Sequence, residues 1–363
     1  MKPMRLMDRP EDYARLKVQP QKVALWEDGR RDTSRPGAFE WWYFDAILDD
    51  GTKVVSVFMP KHRENLAHDG DLPHVHLQLT LPDGTQHVEA FQYRADEASF
   101  RKEACDVKIG AHHFAGDLQT YSVKVNAERG WGADLKLESL GEPWRPGTGY
   151  FGFGEHDEQY FTWLCVVPKG RVTGTITLDG QVRTVTGFGY HDHQWGNIFH
   201  ALAWNHWVWA RQNAGDYNIL VFDLVAGREY GFKRHALTFV QDASGRVLFE
   251  NTGAGGFEVP DEYRQDKTDK MVPRVMKYTF ENGGKRLEYV LRAQRELDIT
   301  DAYSEAPPPA RARFDAMQLR PTYTRWAGEG HLVLTDGNNV TDRTSSLIYE
   351  MVYSGKTYKE HVG

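Results

Sequence analysis

The chain has 363 residues, a formal net charge of −7 and 13% aromatic residues, among them 11 Trp and 17 Tyr. The acidic balance disfavours a general nucleic-acid or anionic-membrane surface, and the length allows two domains with substantial cores. So many rings also allow an apolar cavity walled by aromatic side chains.

The first predicted element is a short helix, because Pro10 precedes two acidic residues as in a first helical turn. Strand signals dominate from there on. An aromatic strand over residues 39–44 and a return strand over 53–58, joined by a glycine turn, predict a hairpin. Further strands are predicted over residues 73–79, 121–125, 133–138, 160–167 and 172–178. This rhythm predicts an all-β sandwich or barrel with few short helices.

The hairpin pattern recurs in the second half of the chain. Aromatic residues 207–209, a turn at Gly215 and an apolar strand over 219–222 repeat the order found in residues 42–58. This echo predicts two β-domains of similar design, residues 1–200 and 201–363. The alternative is that any aromatic hairpin shows such a pattern. Later strands are predicted over residues 236–241, 246–250, 276–281, 286–293, 330–334 and 346–353, and loops over 261–270 and 305–310.

The densest chemistry lies in the stretch from Gly187 to Asn197, which follows a β-branched lead-in typical of a strand. Side chains alternate across a strand. One face should therefore carry Tyr190, Asp192 and Gln194, and the other His191, His193 and Trp195. The run could also be a buried polar ladder, or a metal site through the two histidines. The metal interpretation is the weakest, since no third ligand stands at a diagnostic spacing.

Motifs of common cofactor enzymes are absent from the sequence. It has no phosphate-binding loop, dinucleotide fingerprint, nucleophile elbow or His-Glu-x-x-His helix, so we expect no cofactor and no metal. The first residues have no apolar run, and no stretch approaches the length of a membrane span. Cys105 and Cys165 have no paired spacing, which indicates free thiols. We therefore expect a cytoplasmic protein.

Other candidate cavity residues lie on the aromatic strands. Large rings share a strand face with one charged residue in two places, Glu40, Trp42 and Phe44 in the first half and Trp207, Trp209 and Arg211 in the second. The predicted substrate-binding set is completed by His76, Trp163, Gln194, Trp195 and Trp326. For any single tryptophan, packing in a core is the alternative.

The two motifs Phe39-Glu40-Trp41-Trp42-Tyr43-Phe44 and Gly189-Tyr190-His191-Asp192-His193-Gln194-Trp195-Gly196 together resemble the carotenoid 1,2-hydratase (hydroxyneurosporene synthase) and AttH-like superfamily, which includes fungal lipocalin-like Diels-Alderases. The resemblance spans about residues 35–355. It implies two lipocalin-like β-barrel domains packed together. It also implies that Tyr190 and Asp192 face the cavity, with Trp163 as a plausible companion.

An aspartic acid buried among rings keeps its proton near neutral pH, because burial disfavours its charged form. We therefore expect Asp192 to protonate an alkene, and the faces of Trp163, Trp42 or Trp209 to stabilise the cation. Water for addition would be positioned by Tyr190 or His193. The predicted catalytic residues are Asp192, Tyr190, His191 and His193.

The resulting hypothesis is a cofactor-independent enzyme acting on an apolar isoprenoid or polyketide. Its chemistry would be hydration or dehydration, isomerisation or cyclisation of a C=C bond, as in a hydro-lyase or an isomerase. The alternative from another class is a non-catalytic, lipocalin-like carrier of hydrophobic small molecules. We expect a hydrophobic small molecule as the partner and no nucleic acid. A transient membrane contact during substrate uptake is compatible with either hypothesis.

Overall fold

The computed structural model describes residues 1–253 and 255–355. The chain divides into an N-terminal unit, Met4–Ile198, and a C-terminal unit, which is the chain from Phe199 onward together with Met1–Pro3. Each unit is built on one strongly curled antiparallel half-barrel sheet. The predicted all-β class with few short helices is confirmed. Among the described residues, no helix combines the length and the apolar character that a membrane span requires.

The N-terminal unit contains the strands β1 to β13. In chain order these are Met4–Leu6, Phe39–Leu48, Lys53–Met59, His74–Thr80, Gln86–Gln92, Ala98–Phe100, Asp106–Ile109, His112–Gly116, Thr120–Val125, Gly132–Ser139, Tyr150–Phe153, Gln159–Leu178 and Gln181–Gly196. Its helical segments are α1 at Pro10–Leu16 and one-turn 3₁₀ helices at Leu25–Asp28, Arg63–Asn65 and Ala95–Glu97. Pro10 stands in the first turn of α1, as predicted, where a missing backbone N–H is tolerated.

The main sheet of this unit runs in the order β5-β4-β3-β2-β13-β12-β10-β9-β8-β7-β6, with β1 and β11 attached beside β12. The long early strand β2 therefore pairs with the last strand, β13. Along β2, Trp42, Phe44 and Ala46 are buried, whereas Ile47 is 45% exposed. This alternation directs apolar side chains into one core inside the curl.

The C-terminal unit contains the strands β14 to β22. In chain order these are Trp204–Ala214, Tyr217–Ala226, Arg234–Gln241, Val247–Asn251, Gly256–Arg264, Met271–Asn282, Lys285–Asp301, Thr322–Asp336 and Asn339–Tyr353. Its helical segments are α2 at His200–Ala203, α3 at Ala302–Glu305, α4 at Pro308–Ala316 and a 3₁₀ helix at Arg228–Tyr230.

The C-terminal sheet repeats the plan of the N-terminal one. Its order is β17-β16-β15-β14-β22-β21-β20-β19-β18, so β14 pairs with the last strand, β22, as β2 pairs with β13. The hairpin β14–β15 thus has the same topological position as the hairpin β2–β3. These two hairpins contain the segments whose sequence patterns resemble each other, residues 42–58 and 207–222. The similarity in sequence therefore corresponds to equivalent positions in the two sheets.

Two predicted loops of the C-terminal unit are wrong in part, since only residues 265–270 of the first and 306–307 of the second lie outside strands and helices. Residues 305–310 were expected to be extended, but α4 begins at Pro308, because a proline's fixed φ suits a first helical turn. Residues 261–264 belong to β18, which pairs with β19 through register shifts beside Asp261. Such irregular pairing accommodates Pro260 at a position that a regular ladder disfavours.

Candidate active site

Strand β13 presents two chemically different faces. Asp192 stands opposite Tyr43 of β2 and Cys165 of β12, whereas His193 stands opposite Trp42 and Leu164. Directly paired residues of an antiparallel ladder lie on the same side of the sheet. The face with Asp192 is called the acid face below, and the opposite face, which lines the core of the N-terminal unit, is called the interior face. The alternation predicted for residues 190–195 is present.

On the acid face, three side chains donate hydrogen bonds to Asp192. Trp163 Nε1 donates to Oδ2 at 3.1 Å and Tyr190 Oη donates to the same oxygen at 2.8 Å. Gln194 Nε2 lies 3.4 Å from both oxygens. Among the described residues, Oδ1 therefore has only one long contact, while Oδ2 has two good donors that occupy its lone pairs. When the carboxyl is neutral, its proton belongs on Oδ1.

The acid strength of Asp192 is set by its surroundings. The side chain is buried, with only 4% of the residue exposed. Burial raises the pKa of Asp192 to about 6, against the hydrogen bonds from Trp163 and Tyr190 and the nearby His191, which lower it. Both protonation states are therefore accessible near neutral pH, as a group that gives up and takes back a proton requires.

The interior face holds the two histidines against carboxylates. His191 Nδ1 donates to the Tyr43 carbonyl at 2.8 Å, and its Nε2 lies 3.3 Å from Asp28 Oδ2. His193 Nε2 donates to Glu40 Oε1 at 2.9 Å, and its Nδ1 lies 3.4 Å from Asp28 Oδ1. Neither imidazole is on the side of the Asp192 carboxyl. This geometry corrects the expectation that His191 and His193 take part directly in catalysis and that His193 positions water.

The interior charges stabilise one another. Burial alone would lower the pKa of His193, but the carboxylates of Asp28 and Glu40 outweigh it and raise that pKa. Burial alone would likewise raise the pKa of Asp28, but the imidazoles of His191 and His193 hold it well below its usual range. The polar-ladder alternative therefore describes this face.

Several predicted cavity residues belong to the interior face as well. The Trp42 ring stacks on His193 with centroids 4.5 Å apart. Phe44 is fully buried in the core, and Trp195 Nε1 donates to Tyr150 Oη at 3.0 Å. The sheet therefore separates Trp42 from the carboxyl of Asp192, so Trp42 does not fit the predicted role of stabilising a cation formed there. The same placement separates Glu40, Phe44 and Trp195 from the acid face.

The acid face extends across neighbouring strands. Cross-strand pairing links Asp192 to Tyr43, then Val57, then His76, so His76 is on this face three strands away. The Tyr43 ring meets the Tyr190 ring edge-on at 6.3 Å. Tyr43 was missed at the level of sequence, because its neighbour Trp42 carried the same aromatic signal. Only the register of β2 against β13 distinguishes the two.

Two further residues near the site could not be identified from the sequence around them. Trp144 packs edge-on against Trp163 at 5.9 Å, and its backbone pairs with Cys165. Asp28 lies more than 160 positions before the histidines that it contacts. Contacts of such long sequence separation are decided by the tertiary fold.

One group of side chains has the donor types of a metal site. Ligand atoms of Asp28, Cys105 and His191 lie within 4.8 Å of one another, all buried. The carboxylate is already bonded by Tyr121 Oη at 2.6 Å and faces two imidazoles. In the described part of the chain, protein donors therefore reach Asp28 Oδ2, whereas its Oδ1 has no hydrogen-bond partner.

The remaining predicted site residues belong to the C-terminal unit. Trp207, Trp209 and Arg211 are half-buried on β14 and share a face, as predicted, with the Arg211 guanidinium 5.4 Å from the centroid of the Trp209 ring. Trp326 is a core residue instead. Its ring stacks on Tyr349 at 5.3 Å, so its predicted role in substrate binding does not fit this position.

Comparison with known proteins identifies relatives of this fold. A crystal structure of a putative AttH from Nitrosomonas europaea is 18% identical, covers 93% of this chain and 99% of its own, and has a TM-score of 0.59. The structure of CghA is 14% identical, with 91% and 94% coverage and a TM-score of 0.58. Kievitone hydratase from Nectria haematococca is 15% identical, with 93% and 94% coverage and a TM-score of 0.53.

At such identities these neighbours share the fold alone. The chain matches no curated protein. A family model described as AttH-like matches residues 29–307, which is most of the chain and includes both faces of the site. The chain therefore belongs to the AttH-like family.

Proposed function

We propose that this protein is a cofactor-independent enzyme that transfers a proton from Asp192 to a C=C bond of a hydrophobic isoprenoid or polyketide. The observation that carries the proposal is the asymmetry of the buried carboxyl. Trp163 and Tyr190 both donate to Oδ2, which leaves Oδ1 to bear the proton. A buried acid with a pKa of about 6 is suited to giving up that proton near neutral pH.

In the proposed step, the electron pair of the alkene takes the proton from Oδ1, and a C–H bond forms while the O–H bond breaks. The carboxylate that remains is stabilised by the donors Trp163 and Tyr190, which already point at Oδ2. The carbocation would be attracted to the indole face of Trp163 by about 0.5–2 kcal/mol. Because the Tyr190 hydroxyl donates a hydrogen bond to Asp192 Oδ2, Tyr190 orients the acid and stabilises its carboxylate.

Three outcomes follow from the same cation. Addition of water, with return of a water proton to Asp192, gives an alcohol, and the reverse path is dehydration. Loss of a neighbouring proton to Asp192 gives an isomer. Attack by a second C=C bond of the same substrate, followed by proton loss, gives a ring. The fold is compatible with this range, since one neighbour is named a hydratase and CghA was crystallised with the small molecule Sch210972. The roles of Trp207, Trp209, Arg211 and His76 in holding substrate stay predictions.

The test is to incubate the full-length protein with candidate isoprenoids and polyketide polyenes in deuterated water and in ¹⁸O-labelled water. Hydration introduces both labels, whereas isomerisation or cyclisation through a cation introduces deuterium alone. We expect Asp192→Asn to abolish turnover and to retain the far-UV circular dichroism of the wild type. A bound compound that is always recovered unchanged would identify a carrier instead. Wild-type turnover by Asp192→Asn would remove Asp192 from the mechanism.

A further inference from the structure

Asp28 is a buried carboxylate that the proposed proton transfer does not use. It ends the 3₁₀ helix Leu25–Asp28, and its side chain is fully buried in the N-terminal unit. Tyr121 Oη donates to its Oδ2 at 2.6 Å, and Trp42 Nε1 donates to its backbone carbonyl at 2.9 Å. An anion in such a place is tolerated only with partners. The imidazoles of His191 and His193 lie beside it at 3.3 and 3.4 Å.

Each of these imidazoles bridges Asp28 and strand β2. His191 reaches Asp28 Oδ2 at 3.3 Å and the Tyr43 carbonyl at 2.8 Å through its two ring nitrogens. His193 Nε2 donates to Glu40 Oε1 at 2.9 Å, and its Nδ1 lies 3.4 Å from Asp28 Oδ1, an ion-pair distance without hydrogen-bond geometry. The His191 ring is therefore hydrogen-bonded at both nitrogens, and the His193 ring is hydrogen-bonded at Nε2 and lies at ion-pair distance from Asp28 at Nδ1. These contacts constrain the position of both rings along the strand as well as their depth.

Asp192 is the residue between these two anchors, and its side chain leaves β13 on the opposite face. A short side chain with two torsions can reach Trp163 and Tyr190 only while the backbone at residue 192 stays in place. Apolar packing of similar volume would stabilise a core about as well as buried charges do. Hydrogen bonds on both flanking residues add a constraint on position that apolar packing lacks.

We propose that Asp28 is a positioning residue for Asp192, acting through His191 and His193. The proposal rests on the proposed function, because it concerns the acid of that reaction. Removal of the carboxylate would release both imidazoles from one side, and β13 could then shift within the sheet. A catalytic group displaced by about 1 Å loses roughly 100-fold in rate. Asp28 would thus affect catalysis from the far side of the sheet.

The experiment follows the indole N–H of Trp163 in ¹H–¹⁵N correlation spectra of the full-length protein. This proton is bonded to Asp192 Oδ2, so its resonance reports both the position and the ionisation of the acid. Trp163→Phe assigns the signal. In the wild type we expect the resonance to titrate with a midpoint of about 6. In Asp28→Asn, which keeps the size of the side chain, we expect the signal to move and to lose this titration.

A matched control is Asp223→Asn in the C-terminal unit. Asp223 is also a fully buried carboxylate, bonded by Tyr278 Oη at 3.0 Å and paired with Arg234. We expect this change to leave the Trp163 signal where it is in the wild type. Tyr121→Phe is the milder second variant for the case that Asp28→Asn does not fold, since it removes one donor to Asp28 and keeps the charge. It should shift the same signal in the same direction by less.

The outcomes separate the two proposals. A folded Asp28→Asn protein with a wild-type Trp163 titration would overturn the positioning role and leave the proposed function intact. If Asp28→Asn does not fold, an unshifted signal in Tyr121→Phe overturns it equally. A wild-type resonance that does not titrate between about pH 5 and pH 7 would instead contradict the raised pKa of Asp192 and with it the proposed function.

Discussion

At the scale of single residues, Asp192 is placed where its neutral form persists to a higher pH than it does in water. Burial disfavours the carboxylate more than Trp163, Tyr190 and Gln194 stabilise it. Such a group destabilises the fold at any pH where it would ionise freely in water. This cost is typical of functional sites, which often lower stability in exchange for reactivity.

The pH dependence of this cost can be tested with Asp192→Asn. The pKa of Asp192 is about 6 in the folded chain, whereas the usual aspartate value of 3.8 applies to the unfolded chain. Below about pH 4 the carboxyl is neutral in both states, so the raised pKa has no effect. Between about pH 4 and pH 6 the carboxyl ionises in the unfolded chain but stays largely neutral in the native one. The free energy of unfolding therefore falls by up to about 3 kcal/mol as the pH rises from 4 to above 6. We expect the variant to be more stable than the wild type by about 2–3 kcal/mol above pH 7.

The measurement is urea unfolding at pH 4 and above pH 7. The two proteins should have similar stability at the lower pH and should differ at the higher one. Asp134→Asn, an exposed change on β10, is the control and should have no such pH-dependent effect. An Asp192→Asn protein that is less stable than the wild type above pH 7 would contradict this account.

At the scale of elements, β13 functions because β2 approaches it closely on one side and β12 on the other. The glycines of its motif allow that approach. A Cβ on Gly187 would overlap the Ile47 carbonyl oxygen and lie 2.7 Å from Leu48 Cα, both backbone atoms of β2. Backbone cannot move aside as the end of a flexible side chain can, so the absence of a side chain at residue 187 preserves the pairing.

Gly187→Ala should therefore weaken the β2–β13 ladder. We expect a loss of about 1–3 kcal/mol in the free energy of unfolding, as for other overpacked sites. Gly256→Ala on β18 is the control, because its Cβ would meet no atom closer than 3.4 Å. Chemical denaturation compares the two variants. Equal stability of Gly187→Ala and the wild type would show that β2 and β13 can separate without loss.

At the scale of the whole molecule, the two units share the order of their central strands and one pair of buried polar side chains. Each core contains a buried aspartate that accepts a hydrogen bond from a buried tyrosine, Asp28 with Tyr121 and Asp223 with Tyr278. Each unit has its own large apolar core, as the length and the aromatic content of the chain allow. The acid face, in contrast, belongs to the N-terminal sheet.

The cysteines offer a measurement of global opening in the N-terminal unit. Cys105 and Cys165 are 2% and 0% exposed, and burial raises the pKa of the Cys105 thiol. We expect a thiol reagent to label neither cysteine in the native protein and both after denaturation, with native labelling limited by unfolding. Val88→Cys, at an exposed site on β5, is the positive control. Rapid labelling of the unaltered native chain would contradict the closed core.

From the sequence alone, the strand rhythm predicted the β class, and the period of two predicted which residues of β13 share a face. Both are local properties of a pleated chain, so neighbouring residues suffice to indicate them. The tertiary structure alone decided which face closes over a core and which carries the acid. It set the register that pairs Tyr43 with Asp192 and Trp42 with His193, and it brought Asp28 to the histidines. Those outcomes depend on pairing and on contacts between distant segments, about which a local pattern contains no information.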